Sequence, residues 1–235
     1  MKDISLNNSA IEAWLIDKVG SDAWEKFQNS TRTDIISSVA CFRSFFDFGN
    51  PIDYSCAIIP VMKALEYELR IRFYDPYVRY LSERYSAVEY AKSILPEEYK
   101  YDLKVAAKLK MKILRYEKDK GLEYVDTERE DQFSLGNFCH SVRTSEKKGN
   151  RNQPRIDDLF LEYCHNVVFS EKPVSDIELK KWAVRISIQT EAQVHLRNKS
   201  AHGGVILNEK SAEKAISDVV TVGKLLAEIV APSFG

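Results

Sequence analysis

The chain has few of the residues that interrupt helices: nine glycines and seven prolines among 235 residues. That scarcity leaves room for long helices. It has almost no excess charge, a formal net of −1, so global electrostatics draws no nucleic acid and any such attraction has to come from a local patch. No apolar run approaches the length needed to cross a bilayer. The opening Met-Lys-Asp-Ile-Ser-Leu-Asn-Asn lacks the apolar segment of a signal peptide. The expectation is a soluble, cytoplasmic protein with no membrane partner. Only four cysteines are present, Cys41, Cys56, Cys139 and Cys164. None forms a C-x-x-C pair, so small buried thiols in a reducing compartment are expected. Cys164 and His165 do not make a zinc site between them, because helical neighbours point about 100° apart. No metal and no cofactor is expected.

What is present is an ordinary globular composition, 44% hydrophobic and 29% charged, with enough residues to bury a core. No internal repeat is visible. Apolar residues recur at steps of three and four, which predicts an all-α fold. A first helix carries Ile11, Trp14 and Leu15. Gly20 stops it, and a short helix with Trp24 and Phe27 follows. Thr33 or Asp34 opens a segment with Ile35, Ile36, Val39, Phe42, Phe45 and Phe46, closed by Gly49-Asn50-Pro51. Asp53 begins a central helix whose stripe is Ile58, Val61, Met62, Leu65, Leu69 and Phe73. Pro60 either lies near its start or bends it. Asp75-Pro76 is expected to break the run before a helix from Tyr77 to Ile94.

Residues 100–118 read as an amphipathic helix with Lys104, Lys108, Lys112 and Arg115 on one face. That face is either a solvated surface or a track for an RNA backbone. Residues 144–154 contain no apolar side chain except proline and read as a mobile loop. A helix with Ile156, Leu159, Phe160, Tyr163 and Val167 follows. Ser175 or Asp176 caps a long helix running to about Arg197. After Gly203-Gly204 the last helix carries Ala215, Val219, Val222, Leu226 and Ile229. With no flexible linker evident, residues 1–235 read as a single domain, 77–131 being a possible helical insertion.

The connection between the last two long helices holds Arg197-Asn198-Lys199-Ser200-Ala201-His202, then Gly203. This segment resembles the Arg-x4-6-His signature of the HEPN superfamily (higher eukaryotes and prokaryotes nucleotide-binding). Asn198 stands where that family often has a polar residue. The resemblance implies a HEPN-like helical bundle and a metal-independent endoribonuclease. It also implies a homodimer in which Arg-His pairs from two chains share a cleft. A setting in bacterial toxin–antitoxin or antiphage defence follows too, with an antitoxin or an activating defence protein as partner. By the same carry-over, Arg197 and His202 are the catalytic pair and Asn198 is accessory.

The chemistry of the residues supports the same reading. RNA can be cut by its own 2′-hydroxyl attacking the adjacent phosphate, giving a 2′,3′-cyclic phosphate and a 5′-hydroxyl. Histidine titrates near neutrality and can move the protons. Arginine presents a fixed fork to two phosphate oxygens. One histidine per chain is too few for a separate acid and base, and a second copy supplies another. Glu66 has two readings: a surface pair with Arg70 at i, i+4, or an accessory residue that orients Arg197. His195 lies about 160° around the helix from Arg197 and reads as a structural or surface histidine rather than a catalytic one. His140 and His165 read as packing residues, and Ser200 either reaches a phosphate or simply suits a tight connection. The rival functions are a non-catalytic HEPN-like adaptor or nucleotide-binding module, and a plain helical interaction protein.

Overall fold

The computed structural model describes residues 7–48, 53–84, 113–117, 121–125, 134–148, 151–156, 158–171, 174–201, 209–232 and 234. The chain is all-α in class. Every core side chain described comes from a helix or the residues flanking one. Two short antiparallel hairpins are added to the helices. The chain divides into two compact units, Met1–Leu69 with Ile188–Gly235, and Arg70–Ser187. This division is wider than the 77–131 segment.

The first unit begins with α1 (Asn8–Val19), where Asn7 Oδ1 accepts from Ser9 N at 2.9 Å. Ile11 and Leu15 are its buried face. Gly20, at φ +92°, ends it and donates to Ile16 O at 2.8 Å; the left-handed conformation suits glycine. In α2 (Ser21–Lys26), Trp24 is buried and its indole Nε1 donates to Glu12 Oε1 at 2.9 Å.

α3 (Asn29–Phe48) and α4 (Tyr54–Leu69) pack against each other. α3 starts earlier than Thr33, because a carboxylate from α4 supplies its cap. Glu68 Oε1 accepts from Gln28 N at 2.9 Å and from Thr31 Oγ1 at 2.7 Å. The buried carboxyl group sits at the N-terminal end of α3 and satisfies a donor that the helix cannot. Pro60 lies well inside α4. The neighbouring Val61 N–H donates across the pair to Ser38 Oγ at 3.0 Å. The last helix, α9 in the numbering used here (Glu209–Val230), covers this core with Ala215, Val219, Val222, Leu226 and Ile229. Gly223 lets it approach α1: a Cβ there would stand 3.0 Å from Val19 Cγ1.

In the second unit a π-helical turn, Arg70–Tyr74, leads straight into α5 (Asp75–Arg84). The expected break at Asp75-Pro76 is therefore a change of helical pitch. A wider turn before proline relieves the clash of its ring with the preceding turn's carbonyl. α6 (Leu135–Val142), α7 (Asp158–Tyr163) and a second π turn (Cys164–Val168) follow. Next comes α8 (Asp176–Ala201), of which residues 176–187 belong to this unit. Its N-terminus is a capping box: Ser175 Oγ and Glu178 Oε2 are 2.6 Å apart, and Glu178 N donates back to Ser175 Oγ at 3.3 Å. The core is aromatic. Tyr77 meets Phe160 edge-on at 5.3 Å and Tyr163 at 5.2 Å, while Trp182 lies 5.5 Å from Phe73 and 5.4 Å from Phe169.

Two expectations are corrected. Residues 113–117 do not continue a helix from residue 100. They form β1 (Ile113–Glu117), paired with β2 (Gly121–Val125), and Arg115 stands opposite Glu123 in the register. Lys104, Lys108 and Lys112 lie outside the described residues, so the four-residue basic stripe loses its one described member. Five residues rich in β-branched and aromatic types suit a strand as well as a helix, and the partner strand decides. The loop expected at 144–154 is a second hairpin, with β3 (Arg143–Lys148) antiparallel to β4 (Arg151–Ile156). Pro154 is tolerated because both strands of a two-stranded sheet are edges.

Candidate functional site

α8 runs to Ala201, beyond the Arg197 expected to end it. Arg197 therefore stands in the last helical turn, where a cation favours the negative end of the dipole. His202 follows immediately in sequence and lies outside the described residues. Asn198 is exposed beside Arg197. Ser200 is helical. His195 is exposed, the surface alternative of its two readings.

Arg197 Nε lies 2.8 Å from Glu66 Oε1 of α4, with side-chain exposures of 44% and 21%. The pair is within ion-pair distance, although the approach falls short of hydrogen-bond alignment. Arg70 instead has its Nε 3.1 Å from Asp75 Oδ2. Of the two readings of Glu66, the geometry is that of the contact with Arg197. The contact is made through Nε of the guanidinium. A partly buried carboxylate also limits the rotamers of a long side chain.

Burial raises the Glu66 carboxyl above the ordinary value of 4.5, and the Arg197 charge partly offsets this. In the window just above 4.5 the folded state therefore retains more of the Glu66 proton than the unfolded state does. The stabilising contribution is complete below the unfolded value and is lost as pH rises through the folded one. Wild-type stability minus that of Glu66→Gln should therefore fall with rising pH in the window just above 4.5, as read from urea midpoints. Arg197→Ala should raise the carboxyl further, which carboxyl-carbon NMR titration measures.

Two residues outside the sequence reading continue this face of α8 into the core. Thr190, Gln193 and Arg197 follow at steps of three and four. Thr190 is fully buried and Gln193 is 8% exposed. Thr190 Oγ1 is buried with no hydrogen-bond partner among the described residues. An unsatisfied buried hydroxyl is costly, so the isosteric Thr190→Val should raise unfolding stability by about 1 kcal/mol, measured by chemical denaturation.

Elsewhere, His165 is not a packing residue. It is partly exposed, with Nε2 2.8 Å from Asp176 Oδ1 at the start of α8. His140 is in α6. Among the described residues, no group of three or more His, Cys, Asp or Glu is placed to hold a metal, and no helix is long and apolar enough to cross a membrane.

Fold and site define a helical protein that holds an arginine at a helix end against a half-buried glutamate. Comparison with known proteins adds no relative: no family model, no curated protein and no solved structure matches the chain.

Proposed function

We propose that the chain is a metal-independent endoribonuclease of HEPN type. The observation that carries this reading is the Arg197–Glu66 ion pair in the last turn of α8, five residues before His202. In this reading Arg197 holds the scissile phosphate and stabilises charge that develops on its oxygens. His202 exchanges a proton with the 2′- or 5′-oxygen. Glu66 fixes the guanidinium, and Asn198, exposed beside it, is available to the RNA. The second proton-transfer group comes from His202 of another copy, so the active species is a homodimer. A toxin–antitoxin or antiphage role, restrained by an antitoxin or switched by an activating partner, suits such an enzyme. Arg115 and the lysines at 104, 108 and 112 are assigned no part in it.

The test is incubation of end-labelled RNA with the full chain in EDTA, with Arg197→Ala and His202→Ala as controls. The expected result is cleavage to 2′,3′-cyclic phosphate and 5′-hydroxyl ends by the wild type alone, from a dimer on sizing. Cleavage retained in both variants would overturn the reading. RNA or nucleotide binding without cleavage would mark a non-catalytic adaptor instead. A strict monomer that cuts RNA would remove the two-histidine mechanism.

A further inference from the structure

The cysteines were expected to be buried thiols. Cys139 and Cys164 are buried, and Cys139 Sγ lies 3.4 Å from Ser187 O. Cys41 and Cys56 differ: Cys41, on α3, is half-buried, and Cys56, on α4, is exposed. The two helices are antiparallel neighbours in the chain, and the Ser38–Val61 hydrogen bond sets their register. From that level, Cys41 lies onward along α3 and Cys56 back along α4, both toward the end where the helices are connected. At that end the register makes the two thiols neighbours across the helix pair, near enough for Cys56 and Asp53 to act electrostatically on Cys41. Both are free.

We propose that Cys41 and Cys56 are an oxidation site at which a hydroperoxide drives formation of a reversible disulfide between α3 and α4. The exposed Cys56 is the thiol an oxidant reaches. Its thiolate sulfur attacks the peroxide O–O bond and becomes a sulfenic acid, and the peroxide leaves as an alcohol or as water. Cys41 sulfur then attacks Cys56 sulfur, the S–O bond breaks, and the oxygen departs as water with the Cys41 proton. The sum is two thiols and one hydroperoxide giving one disulfide, one alcohol and one water. Burial, the neighbouring Cys56 and Asp53 push the Cys41 thiol up to about 12, so Cys41 makes a poor first nucleophile. Oxidation of Cys56 removes one of those causes and places an electrophilic sulfur beside it. In a reducing compartment such a bond is transient, as expected of a sensing pair rather than a structural one.

The experiment exposes the native full chain to hydrogen peroxide, traps remaining thiols with N-ethylmaleimide and maps the peptides by mass. The expected result is one dithiothreitol-sensitive crosslink joining the Cys41 and Cys56 peptides. Cys139 and Cys164 should be alkylated only after unfolding. The oxidised chain should melt higher by about 5–10 °C, because the bond closes a short loop in the unfolded state. Cys56→Ser, at an exposed position, should remove both effects while its circular dichroism is unchanged. Recovery of Cys41 fully alkylated after peroxide treatment would overturn the proposal, whether Cys56 is then over-oxidised or joined to a second chain.

Discussion

If the chain cuts RNA as proposed, replacing Arg197 by alanine should lower cleavage by about three orders of magnitude, the scale seen when a preorganised donor to a developing oxyanion is removed. Global stability should hardly change, since the side chain is 44% exposed and its ion pair lies near the surface. Arg197→Lys should recover little. Lysine keeps the charge but has neither the planar fork nor an Nε to meet Glu66. Glu66→Gln should lose about tenfold, because it loosens the guanidinium without removing it. The double variant Glu66→Gln/Arg197→Ala should be no worse than Arg197→Ala alone, as required if Glu66 acts only through Arg197. Single-turnover rates on one RNA would measure all four. Additive losses in the double variant would give Glu66 an independent role.

The largest loss of stability should come two residues along α4 from Glu66, at Glu68. This carboxylate is fully buried and caps α3 through Gln28 N and Thr31 Oγ1. Glu68→Ala leaves a buried hydroxyl and the backbone donor just before α3 unsatisfied and opens a void, which should cost about 3 kcal/mol in a urea titration. Glu68→Gln keeps the shape and one acceptor oxygen and should cost roughly half as much. Glu66 and Glu68 are two residues apart yet have opposite tasks. The half-buried one governs a side chain at the candidate site, and the buried one starts a helix.

The helices were legible where apolar residues recur at steps of three and four. Ile58, Val61, Met62, Leu65, Leu69 and Phe73 are all buried, and so is the stripe from Ala215 to Ile229. The two hairpins were not, because five- or six-residue strands are too short for periodicity to separate from a helical turn. Gly149-Asn150, a two-residue connection of hairpin type, was the available signal for the second. The Arg197–Glu66 contact was legible only as one of two alternatives. Arg70 lies at i+4 from Glu66 and competes on local grounds, and only the packing of distant segments chooses between them. The cap that Glu68 gives to α3 left no local trace at Gln28 or Thr31, since the acceptor comes from another helix.

The first unit is assembled from the two ends of the sequence, with Arg70–Ser187 between them. During synthesis α3 and α4 leave the ribosome long before α9, the helix that covers them. At ordinary elongation rates the delay is on the order of ten seconds. Throughout that interval the apolar face of α4 has no α9 to cover it, so release of the nascent chain before α9 is made should expose apolar surface that a holding chaperone would bind.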